Sequence, residues 1–238
     1  MKVRLRDQGS QGDEHRLEFL PDTSIPLFEN FVATQPSEVL VSVFRQILEI
    51  VLDKQLKDYH FKVQNGWRGS TWKVVLLHGN PSRDGPIVCS QCISCDLTCP
   101  IKLGITGHGQ EGLCSADTLL TDADGIHYHP DLRCWLDAQG RDKLIVTPGN
   151  HLASLSEMDD DLMANFWKGA IELIKSLHFP TFKSMILNHG AYQNHSHLHL
   201  KINVNEKFAK MSQHWPGPLQ SKLARLKDFA AHELSGNS

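Results

Sequence analysis

Three histidines stand at every second position, His195-Ser196-His197-Leu198-His199, and imidazole is the side chain best suited near neutral pH to act as nucleophile, general acid or metal ligand. In a strand, successive side chains point to opposite faces, so the spacing predicts three imidazoles in a row on one side of a sheet. The period continues downstream. Leu198, Leu200, Ile202 and Val204 share one face, while Lys201 and Asn203 extend the histidine face. A helix would spread residues i, i+2 and i+4 over about 200° and give them no common target. The pattern therefore predicts a strand over 195–204.

A second group of reactive side chains is Cys89-x2-Cys92-x2-Cys95-x3-Cys99-Pro100, four of the six cysteines within eleven residues. Such clustering in a chain of this size reads as metal binding before it reads as disulfides. The spacing matches the bacterial ferredoxin run for a [4Fe–4S] cluster, with Cys114 the nearby candidate for a substitute ligand. Zinc in a tetrahedral Cys/His set is the competing reading, and free thiols without metal the third.

The elements that must position these groups follow from the chain's patterning. At 238 residues and 40% hydrophobic content the chain can bury a full core. A formal net charge of −3 argues against a bulk electrostatic nucleic-acid binder. No apolar run follows the N-terminal charges, and Val39 to Leu52 falls short of the ~20 residues a membrane span needs. These features predict a soluble cytoplasmic protein, with the nucleus as the other compartment.

Residues 1–36, with Pro21, Pro26 and Pro36, read as an irregular extension. Val39, Leu40, Val43, Phe44, Ile47, Leu48, Val51 and Leu52 recur at helical spacing, which predicts a buried helix over 38–57, with a strand pair as the alternative its β-branched content allows. His60 to Leu77 alternates around Asn65-Gly66, a hairpin signal, and Trp67 and Trp72 read as packing residues. The segment 80–125 is rich in Gly, Cys, Ser and Asp and reads as a connector; Gly104, Gly107, Gly109 and Gly112 lack the strand-to-helix context of a phosphate loop. Cys134–Asp137 and Lys143–Val146 predict a strand pair. Ser154, Ser156, Glu157 and Asp159 offer capping boxes ahead of a core-facing helix with Met163, Phe166, Trp167, Ala170, Leu173 and Ile174, stopped by Pro180. Phe182–Leu187 is the strand feeding the histidine strand through Asn188-His189-Gly190, and 219–233 a short polar helix. This order predicts an α+β architecture with an antiparallel sheet. It divides the chain into 1–115 (helix, hairpin and Cys-rich loop), a core over 116–205 and a tail over 206–238.

The triad, together with Lys143-Leu144-Ile145-Val146-Thr147-Pro148-Gly149-Asn150-His151, the long helix and the strand between them, resembles the histidine triad (HIT) family over about 125–205. The resemblance implies a HIT-like antiparallel sheet packed with helices. It also implies a nucleotidyl hydrolase or transferase acting at an α-phosphate of a nucleotide or sugar-nucleotide. In that family the middle histidine attacks phosphorus and forms a nucleotidyl-histidine intermediate, which makes His197 the nucleophile here. His199 would bind phosphate, His195 would orient the site or ligate metal, and His151 would face the triad. Asp137 would lie near the ribose and Asn188 against the substrate. A homodimer is a further arrangement the family allows. Related uridylyltransferase-like proteins bind zinc, which would use Cys92 and Cys95, or Cys89 and Cys92, with His151 and His195. Two departures stand out. Ser196 and Lys201 occupy apolar positions of the pattern, Lys201 as a phosphate ligand or a solvated lysine. The family's Gly-Gln-Ser/Thr phosphate grip is replaced by Tyr192-Gln193-Asn194. A catalytically inactive, zinc-stabilised binding module is the alternative these departures motivate.

Overall fold

The computed structural model describes residues 1–11, 14–66, 70–79, 119–121, 129, 131–137, 143–179, 181–193, 196–204, and 221, 223, 224 and 226–228. Within them the chain builds β1 (Val3–Gln11), β2 (Glu14–Pro21), α1 (Phe28–Thr34), α2 (Ser37–Asp53), β3 (Tyr59–Gln64), β4 (Lys73–Gly79), β5 (Leu132–Leu136), β6 (Lys143–Pro148), α3 (Asp160–Ser176), β7 (Ser184–His189) and β8 (Leu200–Asn203). All eight strands join one antiparallel sheet in the order β1-β2-β4-β3-β7-β8-β6-β5. The architecture is α+β, as the element order predicts.

Period-two alternation sorts the sheet's two faces. Leu17, Phe19, Phe61, Val63, Val74, Leu76, Met185, Leu187, Leu200, Ile202, Leu144 and Val146 point to the helical side and share one core with α1, α2 and α3. Trp167 is the hub of that core. It stacks on Phe44 with centroids 4.4 Å apart and meets Phe28 edge-on at 5.7 Å. Trp72, read as a packing residue, is buried against Phe28 and Phe31. Asp159 caps α3 by accepting from the amide of Leu162 at 2.8 Å, and Ser154 accepts from the amide of Ser156 in the short turn before it.

The strand order has a consequence for the chain's plan. Read from either edge, it runs first, second, fourth, third strand of a half, and each half is two strands, a long helix and two strands, with the short α1 added ahead of the long helix in the first half. Both long helices have 17 residues. The rung Val3·Pro21 has its counterpart in Leu132·Pro148, and both are followed by one backbone bond of 2.9 Å, Asp22 N–H to Lys2 O and Gly149 N–H to Asp131 O. The halves join along the β3·β7 ladder, where a pseudo-twofold axis passes through the Lys62·Ile186 pair.

Three expectations are corrected. Residues 1–36 are not irregular but form two strands and a helix. Pro21 ends β2, and Pro26 and Pro36 lie in the connections on either side of α1. Few of these residues face the core, and β1 is an edge strand with Leu5 exposed, so its charged sequence hides the alternation. The histidine strand starts at Leu200, not 195. β6 ends in Pro148, which has no N–H to give a neighbour, so the β6·β8 ladder stops at Val146·Leu200. Upstream of it, the amide of Leu198 donates to Leu152 O at 2.5 Å instead. Asn188 and His189, read as a turn, are the last residues of β7. In the tail, helical residues between 221 and 228 bury Leu223 and Leu226.

Candidate active site

The imidazoles gather where β6 and β7 end and β8 begins. His197 and His199 lie in the irregular lead-in to β8 and are 0% and 1% exposed. Proline leaves the Pro148 carbonyl at the end of a ladder, and the ring of His197 takes it up, with Nε2 3.1 Å from that oxygen. A carbonyl only accepts, so the proton of the neutral ring sits on Nε2 and the lone pair on Nδ1. His199 Nδ1 donates to the His197 carbonyl at 2.9 Å, which fixes that ring's tautomer in the same way. His151 is exposed and meets the His197 ring edge-on, with centroids 4.9 Å apart and planes at 78°. The strap after His151 is tied down by the Leu198–Leu152 bond and by Gln193, whose Nε2 donates to Ala153 O at 2.7 Å.

Asn188 is buried and lies on the sheet face opposite the helices, on the strand next to β8. Its Oδ1 accepts from His60 Nδ1 at 2.7 Å, which points its amide nitrogen away from His60. His60 also packs on Tyr192 at 4.1 Å. Burial is the main influence on His60 and lowers its pKa, with the Asn188 bond opposing, so its ring is neutral at pH 7. Lys201 shares the same face, in the rungs Lys62·Ile186 and Ile186·Lys201. Two strand spacings put the backbones of Lys62 and Lys201 about 10 Å apart. Asp137 is buried just past β5 on this face, with its amide donating to Lys143 O at 3.1 Å. Thr147 is 0% exposed, and its hydroxyl has no hydrogen-bond partner.

His195, Cys89, Cys92, Cys95, Cys99 and Cys114 lie outside the described residues, as do Trp67 and the four glycines of 104–112. Of the zinc set, His151 is the one residue among those described.

No protein-family model and no curated protein sequence matches the chain. Solved structures do. A uridylyltransferase matches at a TM-score of 0.53 and 12% identity, over 93% of this chain and 77% of that one. A GalT-like protein from Arabidopsis thaliana matches at 0.53 and 10% identity, over 96% and 84%. An ADP-glucose phosphorylase from the same plant, with bound ADP-glucose, matches at 0.50 and 11% identity, over 95% and 82%. The fold is HIT-like.

Within this HIT-like frame the two halves are unequally equipped. The rung Phe19·Val74 of the first half corresponds to Val146·Leu200 of the second, so Thr71 and Lys73 stand where His197 and His199 stand. Lys73 is bound there to Glu18 at 2.7 Å, and Arg16 grips the same carboxylate at 2.7 Å. Burial would raise the Glu18 carboxyl, but those two cations outweigh it and hold its pKa at about 2. The first half thus carries an ion cluster where the second carries imidazoles. Sequence reasoning missed His60 and Thr147. Nothing near His60 in the chain marks it, because its partner lies 128 residues away. Thr147 sits inside the Pro148 motif, and strand alternation from Val146 was the available signal.

Proposed function

We propose that this protein is a nucleotidyl hydrolase or transferase in which His197 attacks the α-phosphorus of a nucleotide or sugar-nucleotide. The observation that carries the reading is the His197 Nε2–H bond to the Pro148 carbonyl, which in the neutral ring puts the lone pair on Nδ1. The Nδ1–P bond forms as the P–O bond to the leaving group breaks, and the leaving oxygen departs with the bonding pair. Water or another acceptor then displaces the imidazole. His199 donates to phosphate through Nε2 only when protonated, because its Nδ1–H is already committed to the His197 carbonyl. Asn188, aimed by His60, and Lys201 supply a donor and a positive charge in place of the missing Gly-Gln-Ser/Thr grip, with Asp137 toward the ribose. The uridylyltransferase and ADP-glucose phosphorylase likenesses support a nucleotide-linked substrate.

Intact-mass analysis after brief incubation with UDP-glucose, ADP-glucose and a dinucleoside polyphosphate tests this. A nucleotidyl adduct mapped to His197, and its loss with turnover in folded His197→Ala, is the expected result. Turnover that survives His197→Ala overturns it. Zinc held by Cys92, Cys95, His151 and His195 belongs to the same reading. Metal analysis should then find one zinc per chain, lost in Cys92→Ser/Cys95→Ser. A second reading, a binding module that has retired its chemistry, is favoured by the complete burial of His197. Nucleotide binding without adduct or turnover across the panel would select it.

A further inference from the structure

His60 brings a titratable ring from the first half to the end of the sheet where His197 and His199 stand. Its Nδ1 donates to Asn188 Oδ1 at 2.7 Å, so the neutral ring carries its lone pair on Nε2. The ring is half-buried and its Nε2 stays in touch with solvent, whereas the Nε2 of His199 is enclosed. Leu187·Leu200 is the last pair of the β7·β8 ladder, so Asn188 stands one rung beyond it, level with His199. His60 and His199 are therefore two strand spacings apart, about 10 Å, on one face of the sheet. Enzymes that set a water behind a reacting centre hold the two flanking groups about 6.5–9.5 Å apart. A span of this size has room for a phosphoryl group at the His197 end and one water between it and His60.

The pseudo-twofold axis supplies a comparison within the molecule. It carries the pair His60·Asn188 onto Ser184·Gln64, on the other side of Lys62·Ile186. Ser184 accepts there from the side-chain amide of Asn203 at 3.1 Å. The ladder thus forms without an imidazole at the equivalent place, and of the two positions the ring occupies the one at the His197 end. Glu14 of β2 and Lys201 of β8 act on His60 with opposite sign, and Tyr192 packs on it at 4.1 Å. Lys62 lies two residues along its own strand, and Arg16, across Leu77 of β4, is tied to Glu18. Burial outweighs these influences and leaves the ring neutral at pH 7, ready to take up a proton.

We propose that His60 is the general base of the second chemical step, taking a proton from the water that resolves the nucleotidyl-His197 intermediate. This rests on His197 being the nucleophile. The water oxygen attacks phosphorus from the side opposite the His197 ring while its proton passes to His60 Nε2. The Nδ1–P bond breaks, and its electron pair returns to His197. A nucleoside monophosphate leaves, and the imidazolium at His60 gives its proton to solvent. A base serves only an acceptor that must lose a proton, and a phosphate anion attacks without losing one. His60 therefore directs the site to hydrolysis of its nucleotide substrate rather than to transfer onto a phosphate.

Rapid-quench kinetics on the full-length protein, with whichever of UDP-glucose, ADP-glucose or a dinucleoside polyphosphate labels His197, separates the two steps. His60→Gln, whose side-chain amide still donates to Asn188 Oδ1, should form the adduct at close to the parental rate. It should then hydrolyse that adduct about a hundredfold more slowly, so that the adduct accumulates. Hydrolysis in the parent should fall as pH drops through the histidine range, and His60→Gln should lose that limb of the profile. A ring that only positions Asn188 would instead slow both steps together, and that result overturns the proposal. So does adduct hydrolysis as fast in His60→Gln as in the parent, with His197 still labelled. If His60→Gln fails to fold, a parental hydrolysis rate that stays level across the histidine range overturns it. Absence of any adduct in the parent removes the nucleophile, and the base with it.

Discussion

His189 shows how one buried ring sets a pH dependence. Burial pushes its pKa down to about 4, while the unfolded chain takes up the same proton near the ordinary histidine value of 6.5. Between those values the unfolded state binds more protons, so stability rises with pH across the window. It is lost as pH falls from about 6.5 to about 4, by roughly 3 kcal/mol. His60 and His78, also lowered mainly by burial, act in the same direction. Urea midpoints at neutral pH and at about pH 4.5 should therefore converge in His189→Phe relative to the parent. An unchanged difference would remove His189 from the account. At this scale the sequence marked His197, His199, His151 and Asn188 because alternation and the Pro148 motif are local. His60 and the Pro148 carbonyl were out of its reach, since each acquires its surroundings only when distant strands meet.

Elements were legible where their apolar period was strong. α2, α3, the β3–β4 hairpin and the β5–β6 pair all form where spacing and turn residues put them, within a few residues. β1 and β2 escaped because an edge strand and its neighbour need few apolar side chains, and Glu18 is buried by Arg16 and Lys73 rather than by hydrocarbon. The lead-in 196–199 escaped because a proline in another strand ended the ladder. Two substitutions probe the helix these strands pack on. Asp159→Ala removes the cap on Leu162 and should cost α3 about 1 kcal/mol. Trp167→Ala empties the hub between Phe44 and Phe28 and should cost about 3–5 kcal/mol, both measured by denaturant unfolding. A loss below 1 kcal/mol for Trp167→Ala would mean the core is not organised around it.

For the whole molecule, the related halves were invisible in the sequence because the repeat is one of strand order and register, not of residues. The first half has Val, Leu and Lys where the second has Leu, Ile and His, and only the paired prolines hint at it. Among the described residues, β3·β7 is the strand ladder that joins the two halves, reinforced by α2 and α3 packing on each other. Severed between residues 80 and 118, the chain should therefore behave as two complementary fragments. Expressed together, they should co-purify as one particle; expressed apart, each should aggregate through its bare β3 or β7 edge. Fragments that stay soluble and apart would place the cohesion elsewhere. If reassembly succeeds, the joint becomes a reporter, since anything that pries the two pieces apart or clamps them together, a nucleotide included, can be read as a change in their mutual affinity.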